Sequence, residues 1–359
     1  MSSVSGSFHS SYNLLNIDEA QLVKVCDHFF RKEGKGNLSV EMLEKLYLYL
    51  GKGNLQKGKS AFQKYQSDER VTIEKIGVDK EGFRKFYLVV NKQLGVGGWN
   101  SCQIGVSQNA TLRAIIRPLP DVSDSENLKN AEELRKALGP KYRGPISRVM
   151  NYENGVKVTE LGGDNLHILS RTNSLTKKER LIIYKSLIQG LVDLHSHGYA
   201  HTDLKASNVV VIKDDEGAIT GVKIIDLDRL AKIGESHNTK LGVRYLPYSP
   251  ERMFAKDKGA ASPKDDIWAA MLIICKMERQ VPESLRFLNS LFISRFEEYE
   301  DQLEAMAENQ LHPSKSLFGG TNPGTLFENI IFNMGLISPK SRPEAYRILQ
   351  YLEIISNCL

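Results

Sequence analysis

His201-Thr202-Asp203-Leu204-Lys205-Ala206-Ser207-Asn208 is the stretch on which the reading of this chain turns. It follows LIIYKSLIQGLVDLHSHG, whose apolar residues recur at helical spacing, and precedes the short apolar run VVVI. A loop is therefore expected between an amphipathic helix and a strand. That loop holds a carboxylate (Asp203), a cation (Lys205) and an amide oxygen (Asn208) close together. Downstream, past the turn-forming KDDEGAITG, the run VKII leads into Asp226-Leu227-Asp228 and puts a further carboxylate at a strand end.

Phosphoryl transfer needs a carboxylate to orient or take the proton of the acceptor hydroxyl, a cation near the transferred charge and an oxygen ligand for a metal. The octet supplies all three, and Asp226 adds a carboxylate able to hold the magnesium that bridges phosphates. The two segments resemble the protein kinase catalytic loop, H-R-D-L-x-x-x-N, and the D-F-G that follows it. Further marks fall in order over roughly residues 90–359. Ser249-Pro250-Glu251 resembles the A-P-E that closes the activation segment, and Asp265-Asp266-Ile267-Trp268 the start of the long central helix. Ser341-Arg342-Pro343 resembles the segment whose Arg pairs with the A-P-E Glu. The resemblance implies a structural Glu251–Arg342 ion pair and an Asp266 that anchors the catalytic loop. It implies an α+β, bilobal fold: a small β-rich N-lobe at 92–161 and a helical C-lobe at 162–359. Before these, residues 1–17 read as a flexible tail, and Leu22, Val25 and Phe29, then Met42, Leu43, Leu46 and Leu48, recur at helical spacing and predict a helical extension at 18–91.

Toward the N-terminus, Leu94-Gly95-Val96-Gly97-Gly98-Trp99-Asn100 resembles the glycine-rich loop over the ATP phosphates, where missing side chains let backbone approach the ligand. Arg117, in RAIIRPL, stands where the V-A-I-K lysine is expected. Its resemblance-implied partner is a glutamate on the helix SENLKNAEELRKAL, with Glu132 and Glu133 both eligible. Val158-Thr159-Glu160-Leu161-Gly162-Gly163 is similar to a casein-kinase-1-like hinge. This makes Thr159 the gatekeeper and gives the backbone of Glu160 and Gly162 the adenine edge. The resemblance thus implies ATP with Mg²⁺ or Mn²⁺ held between the lobes. Asn208 and Asp226 would hold metal, Asp203 would orient the acceptor, and Lys205 would steady the transferring group. The acceptor that the resemblance implies is a Ser/Thr hydroxyl of a protein substrate.

Four departures bear on this. Thr202 replaces the Arg of H-R-D, which argues against switching by a phosphate on the activation segment. Asp228 replaces the Gly of D-F-G and adds negative charge beside the metal position. Arg117 is longer, planar and forked where a lysine is compact. GVRYLPYSPE lacks the Thr expected after Gly242. Two rival readings follow: a pseudokinase scaffold that binds nucleotide or partners without turnover, and a kinase-fold enzyme with a small-molecule acceptor. The retained Asp203, Lys205, Asn208 and Asp226 favour an active enzyme over the first, and the mature activation segment with Ser249-Pro250-Glu251 argues against the second.

The rest of the sequence sets bounds. The chain has 359 residues with 41% hydrophobic and 25% charged, ordinary globular usage. At roughly 150 residues per domain this allows two domains or one large bilobal one. Its formal charge is +5, without the concentrated basic stripe and interleaved aromatics of a nucleic-acid binder. The longest apolar run, Ala269–Cys275, falls far short of the ~20 residues of a membrane span. Cys26, Cys102, Cys275 and Cys358 lack ligand spacing, which fits free thiols in a reducing compartment; a cytoplasmic location is expected. HFFRKEGKGNLSVEMLEKL has the outline of a helix–loop–helix calcium hand with Gly36 at its centre. Arg31, Glu33, Lys35 and Met42 at the ligand positions could not bind calcium, so the hand is degenerate or a plain hairpin. The helical extension is expected to pack on the small lobe and tune its helix. It is also the expected place for a regulatory partner or anionic ligand.

Overall fold

The computed structural model describes residues 11–30, 38–79, 81–96, 100–118, 128–172, 175–214, 216–236, 249, 260–279, 326–336 and 339–357. The chain divides into two compact units. The first comprises Met1–Ser125 and Arg148–Leu161, the second Glu126–Ser147 and Gly162–Leu359.

In the first unit a short strand, β1 (Ser11–Asn13), precedes three helices, α1 (Glu19–Phe30), α2 (Leu38–Leu50) and α3 (Leu55–Ser67). The strands β2 (Val71–Val78), β3 (Arg84–Val96), β4 (Asn100–Ser107) and β5 (Leu112–Pro118) follow, and β6 (Val149–Glu153) and β7 (Val156–Glu160) complete the unit. All seven strands form one antiparallel sheet in the order β1-β2-β3-β4-β5-β7-β6. Alternation along the strands sorts the core into two faces. Leu88, Val90, Ile104 and Val106 join Leu22, Cys26, Met42, Leu46 and Phe62 of the three helices. Tyr87, Val89, Ile115 and Val158 meet Ile76 on the other face. Side chains curl the sheet by tying β2 to β6: Glu153 accepts from the Gly77 N–H at 2.7 Å and pairs with Lys75 at 2.5 Å. Gly77 has φ +79, and a Cβ there would lie 3.3 Å from that of Asn151.

This corrects two expectations. Val71–Val78 and the stretch from Arg84 onward are strands rather than helix: Val71 and Ile73 alternate inward before a register shift between Lys75 and Val78. The boundary at Lys92 falls inside β3, which begins at Arg84. Helices α1–α3 therefore share one core with the sheet rather than forming a separate module. The loop of the calcium-hand outline, 31–37, lies outside the described residues; its flanking helices are α1 and α2.

The second unit begins with α4 (Leu128–Leu138), continues with α5 (Leu166–Thr172) and α6 (Lys177–Ser196), and ends with α7 (Pro263–Glu278), α8 (Leu326–Met334) and α9 (Ala345–Asn357). Thr176 and Glu179 close the N-terminus of α6 as a reciprocal capping box, while Ser262 and Pro263 start α7. Its core gathers Leu187, Leu191 and Leu194 of α6 with Trp268, Met271 and Ile274 of α7, and Ile348 and Leu352 of α9. Two antiparallel pairs of short strands, β8 (Tyr199–Ala200) with β11 (Ala231–Lys232) and β9 (Val209–Lys213) with β10 (Ile219–Ile224), frame the octet. Among the described residues no helix is long and apolar enough to cross a membrane. Burial pushes the free thiols of Cys26 and Cys275 up to about 12, and that of Cys102 to about 11, so all three are unreactive.

Candidate functional site

The second unit assembles the octet on a buried frame. Asp266, in the first turn of α7, accepts the His201 N–H at 2.8 Å and the Thr202 N–H at 3.0 Å. His195, on the last turn of α6, meets the same carboxylate at 2.9 Å. Burial pushes the Asp266 carboxyl up, but the His195 and His201 bonds and charges outweigh it and hold the group below its ordinary value. Thr202 sits at φ +62, costly for a β-branched residue at about 1–3 kcal/mol. Its hydroxyl donates to the Arg229 carbonyl at 2.6 Å, so the residue that replaces an arginine fastens the loop locally instead. His201 Nε2 faces the Ile225 carbonyl at 3.1 Å and Nδ1 accepts from the Asp203 N–H at 3.3 Å, which sets the ring's tautomer.

On this frame Lys205 Nζ lies 2.8 Å from Asp203 Oδ2, and Asn208 Nδ2 donates to the Asp203 carbonyl at 3.0 Å. The Asn208 carbonyl accepts from the Ile225 N–H at 2.9 Å, which ties the octet to the strand end that carries Asp226. Asp226 is left-handed, at φ 63 and ψ 58. Burial pushes its carboxyl up, and the charge of Asp228 adds to the rise. The structure thus brings together Asp203, Lys205 and Asn208, with Asp226 adjoining them. A buried carboxylate beside a second negative charge suits a divalent cation, and the amide bond to Asp203 leaves Asn208 Oδ1 as an acceptor. Among the described residues no three His, Cys, Asp or Glu side chains cluster as a metal site by themselves. Magnesium, which takes one or two protein ligands and completes its shell from phosphates and water, fits this sparse set.

Other predicted residues are placed as follows. Gly95 and Val96 pair with Cys102 and Ser101, so the glycine-rich stretch begins at the end of β3 beside β4. Gly97 and Gly98 lie outside the described residues, as do Glu251 and Gly242. Arg342 is buried; its guanidinium stacks 4.9 Å from the Trp268 ring centroid and donates to the carbonyls of Leu336 and Lys264. Ser249 donates to the Asp265 carboxylate. Thr159 is buried on β7, and its hydroxyl donates to the Glu160 carbonyl at 3.3 Å. The Glu160 carboxylate faces Arg148 at 3.4 Å. Gly162 has a steric reason of its own: a Cβ would fall 2.2 Å from Val210 Cγ2.

Within its own unit Arg117 finds a carboxylate that the sequence did not name. Arg117 Nη2 lies 2.5 Å from Glu74 Oε2, on β2, and its Nε donates to Gln103 Oε1 at 2.9 Å. Glu133 pairs with Lys232 at 3.0 Å and accepts from the Tyr199 hydroxyl at 3.1 Å; Lys232 is the main cause of its lowered pKa. Glu132 lies near Arg135 and Lys136 of its own helix. Sequence reasoning missed Glu74, His195, Tyr199 and Lys232. A charged residue in the alternating VTIEKIGV was the one available hint of Glu74, and nothing in it names Arg117 as the partner.

The protein kinase domain profile matches residues 148–352. Among curated relatives, the ovarian-specific serine/threonine-protein kinase Lok of Drosophila melanogaster is 21% identical, over 77% of this chain and 58% of its own length. The putative mitogen-activated protein kinase 14C of the same organism is 23% identical, over 48% and 49%. The serine/threonine-protein kinase SMU1 of Mycosarcoma maydis is 27% identical, over 40% and 17%. The matches therefore span less than two thirds of each of these relatives. With the profile covering more than half of the sequence and the octet folded against Asp226, the chain belongs to the protein kinase family.

Proposed function

We propose that this protein transfers the γ-phosphoryl group of ATP to serine or threonine hydroxyls of a protein substrate. One observation carries the reading: Asp203, Lys205 and Asn208 form a single hydrogen-bonded loop adjoining the buried Asp226. Asp203 offers its carboxylate to the acceptor hydroxyl and takes its proton as the acceptor oxygen bonds to the γ-phosphorus and the bond to the bridging oxygen breaks, releasing ADP. Lys205, already beside Asp203, places positive charge where the transferring group becomes most anionic. Asn208 and Asp226 would hold Mg²⁺ or Mn²⁺, which would withdraw charge from the phosphate oxygens. Arg117 and the Gly95–Asn100 stretch contact the phosphates. Thr159 and the backbone of Glu160 and Gly162 line the adenine position. Lys205 two residues after Asp203 supports the preference for serine and threonine.

The test is transfer of radiolabelled phosphate from ATP by the full chain to itself and to a generic basic protein, with Mg²⁺ and Mn²⁺ separately. Asp203→Ala is expected to lower the rate by about 10²–10⁴-fold, the usual contribution of a positioned proton acceptor. Unchanged transfer in that variant overturns the assignment. Absence of label from the wild type, with ATP still raising its melting temperature, points instead to a nucleotide-binding scaffold.

A further inference from the structure

In the first unit, Arg117 of β5 lies at the centre of a network that draws on four strands, β2 to β5. Glu74 of β2 takes Nη2 at 2.5 Å, and Gln103 of β4 takes Nε at 2.9 Å. Both partners are themselves held. The Thr72 hydroxyl donates to the other Glu74 oxygen at 2.7 Å, and the Gln103 amide donates to Asn91 at 2.6 Å. The side chains of Arg117 and Glu74 are only 26% and 18% exposed. A guanidinium can bond a carboxylate and an amide in two fixed directions at once, which a lysine ammonium does with far less orientational control. The arginine at this position is thus matched to its surroundings. The position of Glu74 is set by the sheet, through its register with Tyr87.

We infer that Glu74 positions Arg117 for the phosphates of the nucleotide, so that the N-terminal segment belongs to the nucleotide-binding machinery. This rests on the phosphotransferase reading above. Nε and Nη2 hold the guanidinium in the sheet, and Nη1 is the nitrogen left by these bonds for an anionic oxygen. The carboxylate that orients this cation comes from a strand of the extension. The orientation of Arg117 is therefore built into the sheet.

The test is calorimetric titration of the full chain with Mg·ATP and, separately, with adenosine, which has no phosphates. Glu74→Gln is expected to weaken Mg·ATP about tenfold, or ~1.4 kcal/mol, and to leave adenosine binding unchanged. Glu74→Asp should recover part of the loss. Glu153→Gln serves as a structural comparison, since that carboxylate ties Lys75 and Gly77 of β2 to β6. It should lower the melting temperature and leave both affinities intact. If Glu74→Gln weakens ATP and adenosine equally, or Glu153→Gln weakens ATP as much, the role is structural and the inference fails. Undiminished ATP binding by Glu74→Gln overturns the inference alone. A wild type that binds adenosine and ATP equally, or neither, overturns the phosphate contact, and in the second case the kinase reading with it.

Discussion

In the second unit the bonds that join Asp203 to Lys205 and Asn208 span two and five residues, whereas in the first unit Arg117 takes its carboxylate from 43 residues away. The contrast separates two ways of building a site. A loop pinned by one buried carboxylate, Asp266, keeps its chemistry within an octet and tolerates Thr202 in place of an arginine. A curled sheet gathers its chemistry from strands that meet only after folding, so a substitution at one strand can be answered by a residue on another. Arg117 and Glu74 are such a pair.

The comparison can be broken at either end. The largest effect is expected from removing everything before Lys92. That cut deletes α1–α3, β1, β2 and part of β3, removes Leu88 and Glu74 with them, and uncovers Ile104 and Val106. The truncated chain should be insoluble or inactive, as judged by soluble yield and phosphate transfer; a fully active truncation would make the N-terminal part a separate module after all.

Asp266→Asn comes next, at about 3–5 kcal/mol of unfolding free energy, because it breaks a buried pair and turns an amide toward backbone N–H groups. Since the folded-state pKa of Asp266 is lowered, its contribution is present above the unfolded carboxylate value of about 3.9 and is lost as pH falls through the lower folded value. Urea midpoints measured across that window should fall in the wild type more steeply than in the variant.

Asp226→Asn is the smallest effect on stability and has the opposite sign. The raised pKa of Asp226 means that its favourable contribution exists below the unfolded value and is lost as pH rises through the folded one. At neutral pH the metal-free wild type therefore carries a buried charge that the amide removes. The variant should melt about 2–4 °C higher, a gain near 1 kcal/mol, and transfer no phosphate. A lower melting temperature would show that the charge is already balanced in the fold.

The same contrast explains what was legible. The octet, the Asp226 strand end and the start of α7 at Ser262-Pro263 are written in adjacent residues, so residue type and order sufficed. The helical reading of 18–91 rested on Leu22, Val25, Phe29 and the leucines of α2, and failed past α3, where β-branched residues alternate through Val71–Val78. The register shift near Lys75 blurs that alternation. His195 looked like one polar residue at the end of a helix; its role depends on the packing of α6 near α7. Glu133 was readable as a helix glutamate, but Lys232 and Tyr199, which engage it, come from distant strands.

A double-mutant cycle in Mg·ATP affinity, using Glu74→Gln, Arg117→Gln and both together in the full chain, tests most directly whether the extension supplies the carboxylate for the nucleotide cation. If Glu74 acts through Arg117, adding Glu74→Gln to Arg117→Gln will change the dissociation constant by less than about twofold. A further loss of about tenfold in the double variant would show the two residues acting independently and would contradict the account.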